Sequence, residues 1–114
     1  RRRLRNKKTQ KNLFSRLKKI KDEFIMVLHY PPYGVFDIIK EKGNVSRGKS
    51  AGVKMFAQAI KKHKPKLVLC GHMHEYQGIK HLHGVPIINP GDAEAGKAAI
   101  ISIEENKKLK VKFI

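Results

Sequence analysis

The sequence predicts an α/β chain that ends in antiparallel β-hairpins, and three observations carry that expectation. Residues 24–28 and 67–70 are short, continuous apolar runs of strand length, the pattern of strands buried on both faces. The stretch between them carries apolar residues at helical spacing. Beyond residue 76, short strand candidates recur with two-residue turns between them. At 114 residues and 40% hydrophobic composition, the sequence can build one core, and two independent cores within it are excluded.

The first expected element is a cationic helix. Leu13, Phe14, Leu17 and Ile20 recur at helical spacing and give one apolar stripe. This sets an expected division into a basic amphipathic helix over 1–22 and the remainder over 23–114. Residues 24–28 then form a strand that ends at His29. Tyr30-Pro31-Pro32-Tyr33-Gly34 must be loop, because two prolines cannot continue a strand and Gly34 is a turn residue. A short helix is expected over 35–42 and a glycine-rich loop over 43–48. Ser50 is expected to cap a helix in which Val53, Phe56, Ala57 and Ile60 share a face, ending near His63 with Pro65 as the stop. Residues 67–70 form the second buried strand, closed by Gly71. Strands over 77–82, 85–89, 98–103 and 109–113 follow, joined at the His83-Gly84 and Asn106-Lys107 turns.

Composition narrows the function classes. No apolar run approaches the roughly 20 residues that cross a bilayer, and no signal-peptide pattern opens the sequence. Cys70 is the one cysteine, so there is neither a disulfide framework nor a zinc site built on a Cys-x-x-Cys pair. The default expectation is a soluble, cytoplasmic protein, and because residue 1 is Arg rather than Met, a piece of something longer. Lys and Arg number 26 against nine Asp and Glu, a net charge of +17. Eleven of the basic residues, and no acid, lie within residues 1–21. That segment suits a phosphate backbone or an acidic membrane surface through counterion release. The blander alternative is a solvated helix packing its stripe on a sheet. Phe14 is the one aromatic among these charges, so base stacking has little support.

Six histidines remain: His29, His63, His72, His74, His81 and His83. His63 follows a helix end between lysines, and His81 and His83 belong to an expected hairpin, so these three are read as structural. His29 and the His72/His74 pair each sit just past the C-terminal end of a buried strand. In open α/β sheets ligands bind outside those ends, so the two loops can converge on one crevice. Neutral imidazole is the commonest metal ligand and needs a fixed orientation. His72 and His74, two apart, point to opposite sides of an extended chain, which suits two neighbouring ions better than one.

These residues resemble a known family. The strand followed by His29-Tyr30-Pro31-Pro32 is similar to the His-x-Pro-Pro loop of calcineurin-like metallophosphoesterases. Gly71-His72-Met73-His74-Glu75 resembles their Gly-His-x-His motif, again after a buried strand. Asn89-Pro90-Gly91-Asp92 resembles the Asn-Pro-Gly turn that commonly follows. The resemblance covers roughly residues 24–103 in order and spacing. It implies the C-terminal half of a four-layer αββα sandwich and a dinuclear centre that hydrolyses phosphomonoesters or phosphodiesters. Carried over, His29 and His72 hold one ion and His74 its neighbour. Two ions polarise phosphoryl oxygens and lower the pKa of a bridging water. Imidazole with carboxylate suits manganese, iron or zinc.

The family's other ligands come from an Asp-x-His, a Gly-Asp-x-x-Asp and a Gly-Asn-His-Asp/Glu motif, and none of these occurs here. The three aspartates, Asp22, Asp37 and Asp92, lie outside any such motif. The expectation is a chain inactive alone, completed by an N-terminal half in the same longer chain or in a second chain. Exposed sheet edges then predict docking or self-association into an oligomer.

A rival pattern, Gly43-Asn44-Val45-Ser46-Arg47-Gly48-Lys49-Ser50, satisfies a P-loop literally. A P-loop needs a buried strand ending at its first glycine, which residues 39–42 are not, and an acid at the end of the next strand. In the phosphoesterase reading Arg47 or Lys49 could still touch substrate phosphate. A basic nucleic-acid-binding module is the alternative from a different class.

Overall fold

A computed structural model describes residues 5–106 and 108–114. Helix α1 (Lys7–Leu17) opens the fold, followed by β1 (Ile25–Val27), α2 (Lys54–His63), β2 (Leu67–Leu69), β3 (Gly78–Leu82), β4 (Val85–Asn89), β5 (Ala99–Ile103) and β6 (Leu109–Phe113). The first four strands form one sheet in the order β1-β2-β4-β3, with β1, β2 and β4 parallel and β3 antiparallel to β4. Strands β5 and β6 pair separately as an antiparallel ribbon. The α/β fold with a closing antiparallel part is the expected one. Arg1, Arg2 and Arg3 of the basic segment, and Lys107 of the last expected turn, lie outside the described residues.

Sheet register explains the layering. Met26, Val68 and Ile87 are paired across β1, β2 and β4, and all three join the core cluster that includes Ala59 and Ile60 of α2. The next row, Val27, Leu69 and Ile88, points to the opposite face, because successive side chains alternate. There it borders a groove whose other side is Ala99 and Ile101 of the ribbon. Gln77 ties the ribbon to the sheet by donating from Nε2 to the carbonyls of Pro90 and Ile114, both at 3.0 Å.

Three expectations are corrected. Residues 24–28 are not buried on both faces: β1 lies at the sheet edge, and Val27 is 73% exposed. No helix forms over 35–42. Phe36 adopts φ 53, outside the right-handed helical region, and buried Asp37 accepts from the Gly34 amide at 2.7 Å, which bends this segment into a turn. Ser50 does not cap α2. Its hydroxyl donates to Asp37 and accepts from the Gly52 amide, and Val53 stands at the N-cap without a side-chain bond. Of the expected apolar face, Val53 at the N-cap, Phe56 and Ile60 are buried and Ala57 is half-buried, and Met55 and Ala59 complete the buried side of α2.

The stripe on α1 is used for packing. Leu13, Phe14 and Leu17 lie against the core, whereas Ile20 falls beyond the helix and is exposed. The His83-Gly84 hairpin turn has positive φ at both residues (52 and 80), the geometry that matches strand twist in a two-residue loop. Among the described residues, no helix is long and apolar enough to cross a membrane.

Cys70 ends the buried β2 segment, and burial pushes its thiol up to about 12. The thiolate is the nucleophile, so the native chain should resist iodoacetamide at about pH 8 and label fully once unfolded. A raised folded pKa gives a contribution that is complete below the ordinary value of 9.0 and is lost as pH rises towards about 12. The unfolding free energy of Cys70→Ala should therefore fall less steeply than that of the parent over this range.

Candidate functional site

The parallel strands β1 and β2 end side by side, and each is followed at once by a histidine loop. Leu28 N–H donates to the Leu69 carbonyl at 2.8 Å, and Gly71 N–H donates to the His29 carbonyl at 3.2 Å, so the ladder continues past the strands and sets the two loops in register. His72 Nδ1 and His29 Nε2 stand 3.2 Å apart. Their rings meet edge to face, with centroids at 5.1 Å, and the Tyr30 ring lies 4.4 Å from that of His72. Both histidines are exposed.

The backbone at His72 is unusual. Its φ is 65, and Met73 N–H donates to the Gly71 carbonyl at 2.7 Å, closing a three-residue γ-turn of the rare, strained hand. Such strain persists only where surroundings over-determine it. Asn89, 1% exposed at the end of β4, supplies part of that support: its Nδ2 donates to the Met73 carbonyl at 3.3 Å and its Oδ1 accepts from Gly91 N–H at 3.0 Å. Tyr76 supplies more, donating from its hydroxyl to the Ile38 carbonyl at 2.9 Å, and burial raises its pKa.

Asn89→Ala is expected to lower stability by about 1–3 kcal/mol, the cost of leaving the Gly91 amide unpaired, since Met73 keeps a second bond from Tyr76 N–H. Urea unfolding with an unchanged slope checks this. The sequence singled out the Asn-Pro-Gly turn but not this bracing role. The available signal was a polar residue closing an otherwise apolar strand.

His74 joins His72 along the wall of a cleft of about 360 Å³, with Glu75 beside it and Glu41 and Asn44 from the facing loop. Arg47 and Lys49 are exposed on that same facing loop, and neither lines this cleft. Residues 43–50 do not form a P-loop: turns occupy 42–43 and 45–48, no strand ends at Gly43, and α2 begins at Lys54. His81 is exposed on β3 and His83 occupies the hairpin turn. His63 packs near Phe14 with its Nε2 buried and without a hydrogen-bond partner among the described residues, and desolvation lowers its pKa.

The donor geometry can be tested against a metal ion. Zinc–imidazole bonds of 2.0–2.1 Å at a tetrahedral angle put two ligand nitrogens about 3.3 Å apart. The separation of 3.2 Å between His29 and His72 fits that requirement. Among the described residues, no group of three or more His, Cys, Asp or Glu side chains is close enough to hold an ion by itself.

Comparisons with known proteins bear on the family and the fold. The family model for metallophosphoesterases of the calcineurin superfamily matches residues 4–113. One solved crystal structure superposes with a TM-score of 0.66 at 19% identity, a likeness of fold, over 90% of this chain and 37% of its own. The crystal structure of TT1561 of Thermus thermophilus superposes with a TM-score of 0.53 at 25% identity, over 93% of this chain and 40% of that one. This chain thus spans well under half the length of either structure. No curated protein matches it.

Proposed function

The chain belongs to the calcineurin superfamily of metallophosphoesterases, and from that premise we propose that it supplies the C-terminal share of a dinuclear phosphoester hydrolase site. His29 and His72 hold one divalent ion, and His74 contributes to a second. The observation that carries this reading is the 3.2 Å approach of two imidazole nitrogens from loops that follow adjacent parallel strands. Manganese, iron or zinc suits imidazole donors. When bound, such ions supply Lewis acidity and a hydroxide at neutral pH.

The chain's own residues do the positioning. The strained turn at His72, braced by Asn89, fixes one imidazole. The His29 carbonyl, by accepting from Gly71 N–H, holds the other loop against it. The cleft beside His74 is the place for the ester. Arg47 and Lys49, exposed on the facing loop outside that cleft, are candidate phosphate contacts only for a substrate that extends beyond it. The Asp-x-His, Gly-Asp-x-x-Asp and Gly-Asn-His motifs do not occur in these 114 residues. We therefore read the chain as inactive alone, with the remaining ligands reaching the site from a preceding part of a longer chain or from a second chain. The exposed edge at β1 supports this reading, since unpaired strand edges invite pairing.

Turnover of bis-p-nitrophenyl phosphate with manganese, measured alongside bound metal on the same sample, tests the proposal. The expected result is no turnover and one weakly held ion per chain. Turnover by the chain alone that disappears in His74→Ala would show that the ligand set is completed between copies, and would overturn the inactivity.

A further inference from the structure

The charge concentrated at the start of the chain has no role in the metal site, yet the fold gives it a definite place. Lys7, Lys11 and Lys18 fall on one side of α1 and its C-cap, spread over about 16 Å of helix axis. With Lys62 of α2 they line a trough of about 520 Å³ between the two helices. Gln10 borders this trough and also a second cavity of about 350 Å³, where Arg5 and Lys54 face Tyr33. Lys54 Nζ lies 5.3 Å from the centroid of the Tyr33 ring, in the loop that leaves His29. One cationic path therefore runs from the end of α1 to the loop beside the candidate metal site. No acidic residue lies within α1.

We propose that this path is a track for the phosphate backbone of single-stranded nucleic acid. Charge complementarity favours a polyanion, and a concave cationic trough that follows one line suits a single flexible backbone. A bilayer surface is disfavoured, because Leu13 and Leu17 pack against the core and half-buried Phe14 is the one apolar side chain that α1 turns to the trough. Binding is expected to be sequence-tolerant, since phosphate contacts carry no sequence information and Phe14, the one aromatic lining the trough, is half-buried. The binding step stands on the lysines alone. Only its destination at the histidines rests on the phosphoesterase reading, where it would make the ester a nucleic-acid phosphodiester.

The test is fluorescence anisotropy of a labelled oligothymidylate with the full chain in EDTA, so that metal plays no part. Four phosphate contacts predict a log–log salt slope of about −3. The Lys7→Gln/Lys11→Gln/Lys18→Gln variant, whose substitutions keep helix propensity, should bind at least about tenfold more weakly, with a slope near about −1. Lys42→Gln/Lys108→Gln/Lys112→Gln removes the same charge elsewhere and should bind like the parent. Circular dichroism verifies the fold of each variant. Undiminished binding by the α1 variant, or an equal loss in the scattered variant, overturns the track. Lysine-dependent capture by phosphatidylserine vesicles without oligonucleotide binding overturns it in favour of a membrane surface. Retained oligonucleotide binding beside failed metal uptake would leave the track standing and remove the phosphoesterase reading.

Discussion

His72→Ala is expected to weaken binding of the first divalent ion by more than about 100-fold. Substitutions that merely disturb the orientation of a ligand cost about 10–100-fold, and removing the ligand itself must cost more. His29→Ala should match it, because the two nitrogens, 3.2 Å apart, act on one ion. His63→Ala should leave binding unchanged, since that ring lies beside Phe14 at the end of α2. Isothermal titration with zinc or manganese separates the three. Equal affinity in His72→Ala and in the parent would show that the approach of the rings is a hydrogen bond and nothing more.

Gly52→Ala is expected to destabilise the fold by at least about 3 kcal/mol, towards the upper end of overpacking effects. A Cβ at this position would stand 2.5 Å from Tyr33 Cα, 2.6 Å from Asp37 Oδ2 and 2.7 Å from the Pro32 carbonyl oxygen. Two of those atoms are backbone. They belong to a segment held by Tyr33 N–H on the Val53 carbonyl at 3.1 Å and Val53 N–H on the Pro31 carbonyl at 3.0 Å. The clash cannot be relieved without moving the loop that follows His29, so metal affinity should fall with stability. Gly48→Ala is the comparison: φ is +87 but nothing lies within 4 Å, so its cost is conformational alone, about 1–2 kcal/mol. Thermal unfolding of both variants is the check, and Gly52→Ala must be clearly the worse.

Much of this was legible in the sequence because strands and their ends are written locally. Residues 85–89 and 109–113 read as short strands from the turns that precede them, and the structure places β4 and β6 on those residues. The histidines were singled out because each followed an apolar run, and the parallel pairing of β1 with β2 brings two of them together. Segments ruled by distant contacts were not legible. Residues 35–42 have a passable helical pattern, but Asp37 is bound by Gly34 and Ser50, and Ile38 bridges to Ser50. Ser50 looks like a cap until its carboxylate partner, thirteen residues away, is known. Burial of β1 depends on its place in the sheet, which periodicity does not encode. Nor does the spacing of His72 and His74 disclose the γ-turn that aims His72 at His29.

The central claim is that His29 and His72 share one ion. Zinc K-edge X-ray absorption of the chain loaded with one equivalent of zinc tests it most directly. Two imidazole nitrogens at about 2.0–2.1 Å are expected, reduced to one in His72→Ala. A shell of oxygens alone, or an imidazole count that His72→Ala leaves unchanged, would contradict it.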